Sequence, residues 1–466
     1  MMALFFSTAH ATVWYVHPDS TLNSIQVALD GCSANDTVLV GPGVYYENIQ
    51  WPSTQGLDLI SELGPGSTTI DGDSLGRVIN VPTIQDTTTV IKGFTIQHGH
   101  ADRGAGIRCS NNSSPIIYGN IIVDNFADSI GGGISMGYSS PIIDSNTITE
   151  NTSVYGGGIG IGYTSYPTIK RNSITYNSAW QHGGGIVCGY NSSMTADNNT
   201  IRNNSATHQG GGLMVFTDQS IISNCIIDSN TAQAGGGLAL LNDSEANVTH
   251  STIRNNTAYL NGGGIRCANY AIPNIEYCQI EYNSYHEIYC DDGANPRISY
   301  NNIVDTSWHG VYNNTASILV DAKSNWWGHA TGPYHPVTNL NGQGCAVSDH
   351  VDFHPWLPQP GVEEYKTTVP LVLNLQVTPN PFTQITDIRY QITGNGEQHS
   401  RESTNLRIYD ATGRLVRQWD RTTIRPSDHI SWDGTDQVNR QLGSGVYFVK
   451  LTSGCLEEAK KVLLVR

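Results

Sequence analysis

Two repeats running in phase constrain this chain more than any other feature. Gly triplets followed by an apolar residue occur at Gly131–Gly133, Gly156–Gly158, Gly183–Gly185, Gly210–Gly212, Gly235–Gly237 and Gly262–Gly264, spaced by 25, 27, 27, 25 and 27 residues. A degenerate copy, Gly104-Ala105-Gly106, lies 27 residues before the first. Asn125, Asn151, Asn177, Asn204, Asn230, Asn256 and Asn283 recur every 26 or 27 residues, each with an Ile three positions earlier, from Ile122 to Ile280. A fixed period of this length means one small structural unit stacked on its own copies.

The triplets exclude a helical solenoid, whose repeats need long stretches of 3.6 periodicity without Gly. A leucine-rich horseshoe would carry a Leu and Asn pattern that is missing. Each unit instead divides into three strand-length pieces, as in GGGIGIGYTS, YPTIKR and NSITYNSA, separated by Gly, Ser, Pro and Asn. The expected coil is therefore a prism of three short strands, about 26 residues long, with Ile inward and polar residues outward. Asn tolerates left-handed backbone and bonds neighbouring peptide groups. A column of them at one corner predicts an amide ladder along the axis. Asn120, Asn146, Asn172, Asn199, Cys225, Ser251 and Cys278 mark a second such column.

The repeat SSPIIDSNTITENTSVYGGGI resembles the repeats of the pectate-lyase-like superfamily, which implies a right-handed parallel β-helix. SIQVALDGCSANDTVLVGPGVYYENI (Ser24–Ile49) is similar to that family's N-terminal cap, with Ile25, Ala28 and Leu29 on a short plugging helix. Such a plug covers the core and strand edges that an open solenoid exposes. NWWGHATGPYHP and VDFHPWL resemble the closing coil, where His329, His335, His350 and His354 are read as structural.

The repeat stops after PWLPQPGVEEY. Beyond it, VTPNPFTQITDIRYQI, LRIYDATGRLVRQW, ISWDGTDQ and LGSGVYFVKLTSG alternate as strands joined by turn residues, and suggest an immunoglobulin-like β-sandwich. Their order closely resembles FlgD-type immunoglobulin-like domains and the C-terminal sorting domains of type IX secretion. The second resemblance implies export through outer-membrane secretion machinery, to the outside or outer surface of a Gram-negative-type bacterium. The expected organisation is a truncated signal peptide (1–11), a β-helix with its cap (12–357), a linker (358–370) and the sandwich (371–466). The signal peptide is read from MMALFFSTAHA, whose Ala9-His10-Ala11 fits the small-x-small cleavage rule.

Charge and cysteine content narrow the function classes. The chain carries 24 basic and 40 acidic residues. From Gly361 onward there are 13 and 12, so the preceding part holds 24 − 13 = 11 and 40 − 12 = 28, a balance of −17. So acidic a surface repels phosphate backbones, and nucleic-acid binding is not expected. No stretch has the roughly 20 apolar residues needed to span a bilayer. Nine cysteines include Cys109, Cys188 and Cys267 at one repeat position, with Cys290 one coil further on. Parallel Cβ vectors in stacked coils fit a disulfide poorly, so buried free thiols are expected.

The superfamily resemblance implies a polysaccharide ligand or cell-surface glycan, and leaves open a polysaccharide lyase or glycoside hydrolase acting on acidic polysaccharide. A lyase of this shape needs a base beside a charge-neutralising group, often calcium, and a hydrolase needs two carboxylates. Polygalacturonase, esterase and epimerase motifs are absent, as are GxSxG, HExxH and P-loop patterns. Catalysis is therefore left open, beside a glycan-binding surface protein and a structural spacer or adhesin stalk.

Departures from the repeat supply the candidate sites. Tyr155, Trp180, His182, His208 and Gln209 precede glycine triplets on neighbouring coils and form the candidate carbohydrate groove. His286, Glu287, Asp291, Asp292 and His309 form the densest acidic–histidine patch and are the catalytic candidates. His98, His100 and Asp102, with Arg103, share one early loop and are the metal candidates. Tyr138, Tyr163 and Tyr190 stack five residues past their triplets, as a stabilising column or a sugar platform.

Overall fold

The computed structural model describes residues 11–216, 219–304, 308–362, 372–393, 405–411, 413–419, 427–453 and 456–466. The signal-peptide reading falls almost wholly on 1–10, outside the described residues. The chain divides into two compact units, 1–363 and 364–466.

The first unit is a parallel β-helix. Three long sheets of 14, 13 and 11 strands run along it, each strand pairing with its copy in the neighbouring coils. Ile122, Ile148, Ile174, Ile201, Ile227, Ile253, Ile280 and Ile303 stand in register in the 11-stranded sheet, all with no exposed surface. Ile107, Ile134, Ile159, Ile186, Leu213, Leu238, Ile265 and Ile288 do the same in the 13-stranded sheet. Each such side chain contributes about 1.5–3 kcal/mol on burial.

Within the three-strand prism the structure adds a fourth, seven-stranded sheet between the Asn corner and the glycines, including Phe126–Ile130, Thr152–Tyr155 and Ser178–His182. Its inward residues are small and buried (Ala127, Ser153, Ala179, Ala206, Ala232, Ala258). Periodicity alone does not reveal this strand, since alanine and serine give a weak apolar signal.

The Asn ladder is continuous. Asn151 donates from its backbone N and from Nδ2 to Asn177 Oδ1, both at 3.0 Å, and Nδ2 also reaches Ile122 O at 2.9 Å. The same bonds repeat from Asn125 to Asn283. The second column runs through Asn120, Asn146, Asn172 and Asn199 to Cys225 and Ser251. The first glycine of each triplet is left-handed; at Gly131 φ is +69° and a Cβ would stand 2.2 Å from Ile134 O. Only glycine fits there.

The helix Ile25–Gly31 plugs the first coil with Ile25, Ala28 and Leu29, all buried. Glu47, from the strand side, accepts from Ile25 N (2.7 Å) and Gln26 N (2.8 Å), satisfying amides the helix leaves open. Eight cysteines are buried, and Cys267 and Cys290 stand opposite one another in register; Cys455 lies outside the described residues.

The second unit is built from two antiparallel sheets, of three and four strands. Trp432 of the WDG element is fully buried between Phe382 and Tyr447, its indole N–H donating to Thr435 O at 2.9 Å.

Candidate glycan-binding groove

The left-handed glycines turn the chain so that the fourth sheet meets the outer face of the 13-stranded sheet at an inside corner. The wall of this corner is the residue before each glycine turn: Arg103, Ile130, Tyr155, His182, Gln209, Ala234 and Asn261, paired coil to coil. The floor is the outward row Arg108, Ser135, Gly160, Val187, Met214, Ala239 and Arg266. Wall and floor touch closely enough that a Cβ on Gly160 would lie 2.4 Å from Ile130 Cγ1. Ile130, Val187, Met214 and Ala239 form an apolar cluster outside the main core, with Tyr155 packed against it.

Four of the five groove candidates meet here. The Tyr155 ring stacks on His182 at 5.8 Å and His182 lies 5.6 Å from His208. Gln209 pairs with His182 through the backbone, and Tyr155 donates its hydroxyl proton to Gln181 Oε1 at 2.7 Å. Burial first, then the neighbouring His208, pulls the His182 pKa below its ordinary value, so this imidazole is neutral at pH 7. His182 Nδ1, Gln209 Oε1 and Asn261 Oδ1 are buried atoms without a hydrogen-bond partner in the protein. Buried polar atoms normally have one, from protein or ordered water.

Trp180 does not join them. Its ring, 55% exposed, contacts Phe126 at 5.5 Å, and Phe126 meets His100 at 5.2 Å, an aromatic strip on the solvent side of the wall. A bulge is the cause: regular alternation would put Trp180 and His182 on one face, and the extra residue in the pairing with the preceding coil breaks it between them. Phe126 is missed in the sequence because it follows the ladder asparagine, a position read as a corner.

Tyr163 and Tyr190 lie 5.3 Å apart and 7° from parallel, with Tyr138 6.0 Å from Tyr163. Tyr163 and Tyr190 cover one another's faces, while Tyr138 is tilted 31° from Tyr163, so the three rings do not lie in one flat platform. The geometry favours the stabilising role.

The metal candidates diverge. His98 Nδ1 lies 2.9 Å from Asp71, His100 Nε2 lies 3.2 Å from Asp128, and Asp102 pairs with Arg103 at 3.2 Å. Among the described residues no three His, Cys, Asp or Glu side chains are placed to hold a metal ion. The sequence puts these residues in one loop, but His98 lies before the strand His100–Arg103 in left-handed backbone (φ +54°), and a bulge between Ala101 and Arg103 breaks the alternation that would keep His100 and Asp102 on one face.

The catalytic candidates split into three environments. His286 and His309 stand in register with rings 5.3 Å apart, and His286 stacks on Tyr312 at 4.7 Å and Tyr289 at 5.5 Å. Asp291 ion-pairs with Arg266 at 2.8 Å; its carboxyl pKa is raised, burial being the main cause. Asp292 is exposed, 3.8 Å from the same arginine. Glu287 points inward with no exposed surface and accepts from Asn283 N at 3.0 Å and from Asn283 Nδ2. It terminates the Asn ladder, a structural place that leaves it out of reach of any groove ligand. In the closing coil His335 is likewise structural, accepting from Val337 N and Thr338 N.

A family model described as "Right handed beta helix region" matches residues 83–227 and 184–326, and one described as "Secretion system C-terminal sorting domain" matches 376–465. Among solved structures, the chain is similar to the crystal structure of pectate lyase Pel9A, at 12% identity over 78% of this chain and 83% of that one. The TM-score is 0.34. No curated protein matches the sequence. The two overlapping β-helix matches run from 83 to 326, more than half of the 466 residues, and the chain belongs to the right-handed beta-helix family, with a secretion-system sorting domain at its C-terminus.

Proposed function

We propose that this exported protein binds an extended glycan along the groove, at the surface or outside of a Gram-negative-type cell that it reaches through the type IX secretion machinery. The observation that carries the reading is the wall column His182, Gln209 and Asn261, whose buried polar atoms are unpartnered in the protein beside the apolar floor of Val187, Met214 and Ala239. Sugars offer hydroxyls to polar side chains of this kind and C–H faces to the half-buried rings of Tyr155 and His182 that stand over the buried floor, and binding sites are usually apolar surfaces with a few aimed polar groups. A ligand lying along the axis meets the same wall position once per coil.

The test is titration of the full chain with a panel of neutral and acidic polysaccharides, comparing wild type with His182→Ala and Gln209→Ala. Binding weakened roughly tenfold by either change supports the groove. Binding that survives both sinks it.

The juxtaposition of His286, His309, Tyr289 and Tyr312 favours a second reading, a lyase or hydrolase acting on acidic polysaccharide. Unsaturated or reducing-end products from such a substrate, lost in His286→Ala, would establish it. A panel with no turnover by wild type would dismiss it.

A further inference from the structure

The solenoid is strongly acidic, yet its cations are distributed with a pattern. Asp144 holds Lys170 and Arg171, Asp228 holds Arg202 and Arg254, and Asp291 holds Arg266. Arg297, Lys323 and Lys92 are partnered by Glu276, Asp352 and the Tyr118 ring. The remaining three, Arg77, Arg103 and Arg108, gather at the N-terminal end of the groove. Arg77 has a structural explanation: Nε and Nη2 donate to Arg103 O (3.0 and 2.7 Å) and Nε to Gly104 O (2.9 Å), capping carbonyls where the glycine strip begins. Arg103 is oriented by Asp102 and by the Tyr163 ring, 5.4 Å from its guanidinium carbon.

Arg108 has no such explanation. It stands half-buried on the groove floor between Asn80 and Ser135, and makes no hydrogen bond or ion pair with the described residues. Burial and the charge of Arg103 both lower its pKa, and burial and Arg108 together push that of Arg77 down to about 10. All three stay protonated at neutral pH, so the fold carries their mutual repulsion with one exposed carboxylate, Asp102, against it. A half-buried guanidinium with no ion-pair partner, beside two other cations, is stabilised by anything anionic that completes it, and its planar fork of donors suits carboxylate and sulfate oxygens.

We infer that Arg108 and Arg103, with Arg77 behind them, form an oxyanion-binding site at the N-terminal end of the groove. The site rests on the glycan reading for its natural source, an acidic substituent on the bound polymer; a free inorganic anion is the other source of the same chemistry. Tyr155 stands two coils further on, roughly 10 Å along the axis at strand spacing, so one extended polymer reaches both.

The test uses the full chain at low ionic strength, titrated with dextran sulfate, polygalacturonate, uncharged dextran and inorganic sulfate. Wild type, Arg108→Gln and, as a paired-cation control, Arg297→Gln are compared for affinity and for melting temperature. The expected result is a preference of roughly tenfold or more for a charged polymer over dextran. Arg108→Gln should abolish that preference while leaving the melting temperature unchanged or raised, and Arg297→Gln should keep the preference. Which of dextran sulfate and polygalacturonate shows it identifies the anion as sulfate or carboxylate. Equal binding of charged and neutral polymers overturns the anion site and leaves the groove standing. Arg108-dependent binding of sulfate with no polymer bound upholds the site and sinks the groove. Retention of the preference in Arg108→Gln, or a lowered melting temperature, overturns the inference.

Discussion

At the residue scale, two kinds of side chain are separated by what they touch. Ladder asparagines are fully engaged: Asn177 accepts from Asn151 twice and donates to Ile148 O and Asn204 Oδ1. Replacing it with Ala leaves the buried backbone N–H of Asn151 without its acceptor and opens a gap in the ladder. Asn177→Ala should therefore cost about 2–4 kcal/mol, read by urea denaturation. These residues are legible in the amino-acid sequence because stacking copies them from coil to coil. His182 is the opposite case, a departure from the repeat whose polar atom is unspent. Its folded pKa lies below the unfolded value near 6.5, so the unfolded chain takes up the proton first. The neutral ring's contribution is present above the unfolded pKa and declines as pH falls through and below it. His182→Gln should flatten the loss of stability between about pH 7 and 5 relative to wild type. An unchanged slope would mean that the ring is not shielded as the geometry has it.

At the element scale, the fourth sheet decides where a ligand can lie. Three pieces of the coil are readable from Ile spacing and turn residues, but this strand, with Ala127, Ala179 and Ala232 inward, is hidden by its small core residues. That is why Trp180 reads as part of the groove with His182: the sequence gives their spacing, and the bulge that sends Trp180 to the Phe126 side depends on pairing with the neighbouring coil. Trp180→Ala should leave groove binding within about twofold of wild type, since the ring faces away from the wall. A tenfold loss in the same titration would move the site to the outer strip. The end of the Asn ladder is equally hidden. In the sequence Glu287 is an acid near histidines, and only the fold shows its carboxylate taking the place of the next amide oxygen. Glu287→Ala should destabilise the protein by about 1–3 kcal/mol, whereas Glu287→Gln, which keeps an acceptor, should be milder.

At the scale of the whole molecule, a regular stack makes the architecture readable and the function obscure. Every coil repeats the Ile column, the Asn corner and the glycine turn, so architecture follows from spacing, and stability accumulates from neighbour contacts. The sorting tail has an expected outcome of its own. Removing residues after 363, where the β-helix unit ends, should leave the β-helix folded but retained inside the cell envelope, detected by fractionation; normal appearance outside would contradict the sorting role. The groove is a cumulative feature of the same stack, in which wall atoms recur along the axis and differ only in chemistry from coil to coil. Hydroxyl-radical footprinting with a bound polysaccharide tests it most directly. Binding in the groove predicts protection of Tyr155, His182 and His208, with Trp180 and the Tyr138–Tyr163–Tyr190 column still reactive. Protection of Trp180 or that column, with the groove residues unchanged, would contradict it.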